Sequence, residues 1–353
     1  MFYYFPRRPI MAATRKEADM QTKTKVTIQG IADEVGLSKY AVSRSLAGKS
    51  GVSEETRKRI SEVAERLGYT KPVIRNKPSD SEEIAVVFYD IDPVNSELNV
   101  QIQTGVQEEA ERLGVGIRIR WTHSELALEE LSANFAGLIV VGPHTPEGIA
   151  RAAAAGGAAI VRLGWTDPLQ QIDSVSGSDH EAGQAVARYL TSLGHRSIAY
   201  VYGLPIYRGR HERYYGMREI LEQNSEYQLH VMQFEEQSGF ATALGELRGK
   251  GVHPTAFFCA HDGLAVTVVS ELLGQGFRIP DDVSVVGFGD FSAAMQISPG
   301  LTTVRQEGRE TGAAALQLLL ERIRRPRLPD QPARSIRVVS RIVERRSAGP
   351  VKN

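Results

Sequence analysis

The sequence predicts a small all-α unit followed by an α/β domain of two lobes with parallel sheets. Three observations carry this. Residues 26–69 show apolar spacing of the helical kind only. From residue 84 onward, short apolar runs alternate with helical stretches, the pattern of βα units whose helices cover a parallel sheet. That alternation continues to residue 347, more chain than one small sheet accommodates, so two similar lobes are expected with a ligand cleft beyond the strand carboxyl ends.

The all-α unit reads as three helices. The first runs from Ile28 to Val35 with Thr27 as N-cap, and Gly36 suits a left-handed cap behind it. Ser38 caps a second helix, Lys39 to Leu46. Ser53 caps a third, on which Ile60, Val63, Ala64 and Leu67 fall on one face. Residues 1–25 read as a disordered tail. Residues 72–83, with Pro72, Pro78, Ser79, Asp80 and Ser81, have the composition of a linker.

In the α/β domain the strand-like runs are Ile84–Tyr89, Gly137–Val141, Ala158–Leu163, Ser197–Tyr202, Ala256–Cys259 and Val283–Phe288. Helical stretches lie between them, one carrying Ile102, Val106, Ala110 and Leu113 on a single face.

Charge is divided between the two parts. Residues 1–77 carry 16 Lys and Arg against 8 Asp and Glu, and the remainder, out of 42 of each in the chain, carries 26 against 34. A basic front on an acidic body means that only the front is suited to a polyanion. One cysteine, Cys259, excludes an internal disulfide, and no apolar stretch approaches the ~18 residues of a membrane span. Residues 1–10 lack the continuous apolar core of a secretory signal, so a cytoplasmic location is expected.

The first two helices have helix-turn-helix spacing around Gly36, and in that motif the start of the second helix enters the major groove of DNA. Lys39 and Tyr40 fall nearest the base edges. Arg44 suits a bidentate guanine contact, and Thr27, Ser38, Ser43 and Lys49 are placed for capping or phosphate contact. The alternative is a protein-binding three-helix bundle in which Lys39 and Arg44 are solvated charges.

The run VTIQGIADEVGLSKYAVSRSLAGK over residues 26–49, continued by Val52-Ser53-Glu54-Glu55-Thr56-Arg57 and Leu67-Gly68-Tyr69, resembles the headpiece of the LacI family of repressors. The resemblance extends over residues 26–347. Asp173-Ser174-Val175 with Asp179 and Gly183, Leu193-Gly194-His195, the stretch 279–288 and Pro299-Gly300-Leu301 through Arg305 match the family's sensor domain. The resemblance implies a periplasmic-binding-protein-like domain of two lobes joined by three crossing strands. Lobe 1 is then placed at 84–177 and 305–330, and lobe 2 at 178–300 and 331–347. It further implies a homodimer on a double-stranded DNA operator, controlled by a sugar or sugar derivative. The linker departs from the family, since the usual Asn, the Ala-Arg pair and the wedging Leu are missing between Tyr69 and Pro78.

For the effector, Arg213 aligns with the arginine that anchors ligand hydroxyls or carboxylates in the family, a task that suits a planar donor fork. Asp90 and Asn95 follow the first strand at the cleft mouth, and Asp290 ends a strand of the second lobe. Trp165 or Phe234 offers a sugar face, with plain packing as the alternative for Trp165. Asp262 reads equally as a helix N-cap or a ligand contact. His261 replaces the family's usual Asn and Gly289 its usual Asp; His261 reads either as a partner of an anionic effector or as a satisfied cleft histidine. No metal-ligand spacing, P-loop, dinucleotide fingerprint or nucleophile elbow occurs, so neither a cofactor nor an enzyme activity is expected. The second alternative, an exported sugar-binding protein, lacks an export signal.

Overall fold

Short apolar segments build both parts of the molecule. The computed structural model describes residues 28–46, 53–67, 83–91, 95–203, 207–234, 239–328 and 330–352. The chain divides into two units, Met1–Lys77 and Pro78–Asn353. The expected tail, and residues 68–82 with most of the linker, lie outside the described residues.

The first unit contains α1 (Ile28–Val35), α2 (Lys39–Leu46) and α3 (Glu54–Arg66). Ile31, Ala32, Val35, Val42, Ile60 and Ala64 are buried together, with Leu37, Val63 and Leu67 packed against them. Gly36 takes φ +69°, which an L side chain rarely adopts, so the turn between α1 and α2 stays tight. Ser38 Oγ accepts from the Ala41 amide at 3.2 Å and Ser53 Oγ from the Thr56 amide at 3.3 Å. Both serines thus satisfy a helix-start donor, as their sequence positions predict. An Arg66–Glu34 ion pair of 2.8 Å ties α3 to α1.

The second unit starts with β1 (Ile84–Phe88), α4 (Ser96–Leu113), β2 (Ile117–Trp121), α5 (Glu125–Asn134), β3 (Gly137–Val141), α6 (Pro146–Gly156), β4 (Ala159–Leu163) and β5 (Asp173–Gly177). It continues through α7 (Asp179–Ser192), β6 (Ser197–Val201), α8 (Arg208–Leu221), β7 (Gln228–Met232), α9 (Phe240–Gly249), β8 (Ala256–Cys259), α10 (Asp262–Gly274) and β9 (Ser284–Gly289). It ends with α11 (Ser292–Gln296), β10 (Thr302–Arg305), α12 (Gly308–Arg324), β11 (Ser335–Val338) and β12 (Arg341–Val343).

These strands form two six-stranded sheets, ordered β11-β5-β4-β3-β1-β2 and β12-β10-β9-β8-β6-β7. Every pairing is parallel except β10 with β12. Parallel strands need helices on both faces, which accounts for the fully buried runs of β1, β3, β8 and β9.

The chain crosses between lobes at 177–179, 305–308 and 338–341. This corrects one expected boundary. Residues 331–347 do not all belong to the second lobe, because β11 pairs with β5 in the first sheet. The strand at 335–338 is short and mostly exposed, so its sequence gives no sign of which sheet it joins.

Each lobe brings one helix pair into close contact through glycines. A Cβ at Gly183 or Gly216 would fall on the backbone carbonyl of Arg213 or His180, and one at Gly105 or Gly312 on that of Arg309 or Ile102. The α7–α8 contact fixes the helix that carries Arg213.

Candidate ligand cleft and nucleic-acid interface

In the first unit, Lys39 and Tyr40 occupy the first turn of α2, and Tyr40 is 70% exposed. Val42, on the opposite side of the helix, is fully buried. The start of α2 therefore projects its polar side chains away from the core, as a helix entering a groove must. Ser38 is exposed and serves as the α2 cap. Thr27 and Lys49 lie outside the described residues, as do the side chains of Ser43 and Arg44, whose backbone belongs to α2.

In the second unit, a cavity of about 490 Å³ opens between the lobes. A second, of about 320 Å³, shares Asn95, Tyr207, Arg213 and Gln306 with it. Together they form one cleft at the strand carboxyl ends, where open α/β sheets bind ligands.

Arg213 reaches this cleft from α8. Its Nε donates to Asp179 Oδ1 at 2.8 Å and its Nη1 to the Ala260 carbonyl. Its guanidinium carbon lies 3.5 Å from the Phe288 ring centroid. These contacts hold the fork rigidly, which favours directional hydrogen bonding to a ligand. Trp165 lines the cavity from the first lobe and is 37% exposed. Arg208 of the second lobe lies 4.8 Å from its ring centroid and also pairs with Glu212 at 2.8 Å. Trp165 thus lines the cavity while the Arg208 guanidinium of the other lobe stacks over its ring.

His261, not Asp262, caps α10: its Nδ1 accepts from the Leu264 amide at 3.2 Å. While it does so, that nitrogen does not donate to an anion. Asp262 is fully buried and accepts from Thr303 Oγ1 at 2.6 Å and from the Phe291 amide at 2.8 Å. Burial raises its pKa, opposed by those two hydrogen bonds. Both residues border the smaller cavity.

Three expected contacts lie elsewhere. Asp290 pairs with Arg305 at 2.6 Å and Arg345 at 2.5 Å, with a side chain 5% exposed. It braces the second sheet beside a crossing, and its oxygens are already committed. Phe234 packs on Phe240 at a centroid distance of 5.6 Å within the second-lobe core. Asp90 pairs with His123 at 2.9 Å and lines neither cavity.

Sequence reasoning missed Arg162, Tyr207 and Gln306 on the cleft wall. Arg162 had a readable signal, a lone charge inside an otherwise apolar strand run. Its Nη2 donates to the His144 carbonyl at 3.0 Å, while Nε and Nη1 find no partner among the described residues. His144 is 3% exposed, and burial, followed by the nearby Arg162 charge, lowers its pKa to about 4.

A helix-turn-helix headpiece and a two-lobed, cleft-bearing domain of the periplasmic-binding-protein-like kind define the class. The profile of bacterial regulatory proteins of the lacI family matches residues 27–71, and that of the periplasmic binding protein-like domain matches residues 187–348. The HTH-type transcriptional regulator GanR of Bacillus subtilis is 30% identical over 315 residues, spanning 84% of this chain and 92% of that protein. The chain belongs to the LacI family of transcriptional regulators and is not an enzyme.

Among solved structures, a lac repressor dimer bound to operator and an anti-inducer aligns with a TM-score of 0.69 at 23% identity, covering 92% of this chain and all of that one. A LacI family regulator from Enterococcus faecium with bound ribose aligns with a TM-score of 0.63 at 25% identity, covering 76% of this chain and all of that one. Among the described residues, no helix is long and apolar enough to cross a membrane and no group of side chains is arranged to hold a metal ion.

Proposed function

We propose that the protein is a cytoplasmic homodimeric repressor whose affinity for a palindromic operator is set by a small carbohydrate-like effector bound between the lobes. The observation that carries this reading is the interlobe cavity of about 490 Å³, with the pinned Arg213 fork and the half-open Trp165 ring on its walls. A donor fork beside an aromatic face is the pairing a sugar uses, hydroxyls on one and ring C–H on the other. The relative with bound ribose supports this choice of ligand class.

Because both lobes line the cleft, a ligand there favours one lobe arrangement over another, and operator affinity follows by linkage. Lys39, Tyr40 and Arg44 read base edges. Thr27, Ser38, Ser43 and Lys49 hold the backbone or the recognition helix. Asn95, Trp165, Arg213 and His261 face the effector, while Asp262 positions the wall behind them.

Selection of the full-length protein against random duplex DNA at one salt concentration tests the reading. Enrichment of a palindrome with half-sites about one helical turn apart or closer supports it. Failure to enrich any sequence, with and without sugars, contradicts it.

A further inference from the structure

We propose that Arg162 is an anion-recognition residue of the cleft and that the effector is a carbohydrate bearing a carboxylate or phosphate group. This rests on the reading of the cleft as the effector site and specifies the ligand's charge.

Arg162 sits near the carboxyl end of β4, between Val161 and Leu163. Those two side chains pack into the first-lobe core with residues of α4 and α12. Strand alternation turns Arg162 to the other face, where it borders the cavity. It is 8% exposed, yet among the described residues its Nε and Nη1 groups have no acceptor.

The other arginines that line the larger cavity are each paired with a carboxylate. Arg208 pairs with Glu212, Arg213 with Asp179 and Arg337 with Glu181. Among the described residues, Arg162 alone of these four has no carboxylate in ion-pair contact. Its acidic neighbour Asp167 is exposed and acts on it only through space. Burial lowers the Arg162 pKa from the ordinary arginine value, as incomplete compensation requires.

A buried guanidinium with unpaired donors is costly, and an uncharged side chain of similar size would fill the position without that cost. A carboxylate or phosphate entering the cavity gives one of these donors a charge-assisted acceptor; Nε and Nη1 lie on different edges of the guanidinium, so a single carboxylate takes only one of them. The cavity is far larger than an inorganic anion needs, and the partly exposed Trp165 ring lines it as well. Both features fit a sugar ring that carries the anionic group. His261 is not needed for this, since its Nδ1 is engaged with α10.

Titration calorimetry of the full-length protein tests the proposal, with the hexuronates and aldonates of glucose, galactose and mannose and the 6-phosphates of glucose, galactose, mannose and fructose set against the neutral sugars. At least one anionic compound should bind about 100-fold more tightly than its neutral parent, and the carboxylate and phosphate arms show which group is used. Arg162→Met should reduce that ratio to about tenfold or less, the range expected when charge-assisted hydrogen bonds are lost. Arg162→Lys keeps the charge without the fork and should retain part of it.

A neutral sugar binding as tightly as its anionic counterparts overturns the proposal. So does failure of every anionic compound to bind at millimolar concentration. These arms use the unmodified protein and do not depend on the variants folding. Operator binding measured in parallel separates the two readings. Selected DNA bound without anion preference leaves the regulator standing, whereas failure to bind DNA removes the regulator whatever calorimetry shows.

Discussion

Acidification from pH 6.5 toward 4 should destabilise the α/β domain through His144. The ring is 3% exposed, packs edge-on against Tyr89 at 5.1 Å, and has its pKa lowered from 6.5 to about 4 by burial and then by the Arg162 charge. Asp90 opposes that shift and His123 adds to it. Above pH 6.5 the ring is neutral in the folded and the unfolded chain, and its contribution to stability is complete. As pH falls from 6.5 toward 4, the unfolded chain takes up a proton that the folded chain refuses. Stability then declines by up to about 1.4 kcal/mol per pH unit, reaching a total of about 3 kcal/mol. Burial also lowers the pKa of His195 and His230, so the His144 share must be isolated by comparison. Urea unfolding of the native protein and of His144→Gln at pH 7, 6 and 5 should give a visibly shallower pH slope for the variant. NMR titration of labelled histidines should place one ring near 4. Equal slopes, together with a His144 ring titrating near 6.5, would mean that burial does not hold the ring neutral.

Other outcomes follow from single contacts. Lys39→Ala and Tyr40→Ala should each weaken binding to the selected operator by about 1–3 kcal/mol and relax preference at one or two base pairs; fluorescence anisotropy with substituted duplexes checks this, and unchanged binding by both variants removes α2 as the reading helix. Asp262→Ala leaves the buried Thr303 hydroxyl and the Phe291 amide without their acceptor, so thermal or urea melts should show a loss of about 3 kcal/mol, and a loss under about 0.5 kcal/mol contradicts the assignment. Glu97 on α4 accepts from the Ser292 amide at 2.9 Å and from its hydroxyl at 2.6 Å across the cleft mouth. Glu97→Ala should therefore favour open lobes by about 1 kcal/mol. Pulsed EPR between labels at the exposed positions Leu126 and Leu273 reads this as a longer mean distance, since Cys259 is buried, and an unchanged distance refutes it.

Most of the architecture was legible because local signals and burial agree. Ser38, Gly36 and Ser53 mark the headpiece helices through backbone chemistry that acts within a few residues. The buried strands β1, β3 and β8 are continuous apolar runs. Edge strands were harder. In β2, Ile117 and Ile119 alternate with Arg118 and Arg120, and β11 and β12 are short and largely exposed, so the place of the third crossing depends on pairing partners far away in sequence. The cleft was legible only in part for the same reason. Arg213 and Trp165 could be placed from local pattern and resemblance. Whether an acidic residue faces a ligand or an arginine depends on distant segments: Asp290 meets Arg305 and Arg345, and Asp262 meets Thr303. Arg162 broke the apolar rule of its own strand, and such a breach is where function is most often found.

The central claim is that a ligand in the interlobe cleft controls the headpiece's grip on DNA. It is tested most directly by measuring the operator dissociation constant by fluorescence anisotropy, with and without the sugar that calorimetry finds to bind, for the native protein and for Arg213→Met. The native protein should show at least a fivefold shift and the variant little or none at the same sugar concentration. An identical shift in both, or a sugar that binds in the cleft without moving operator affinity, would contradict the claim.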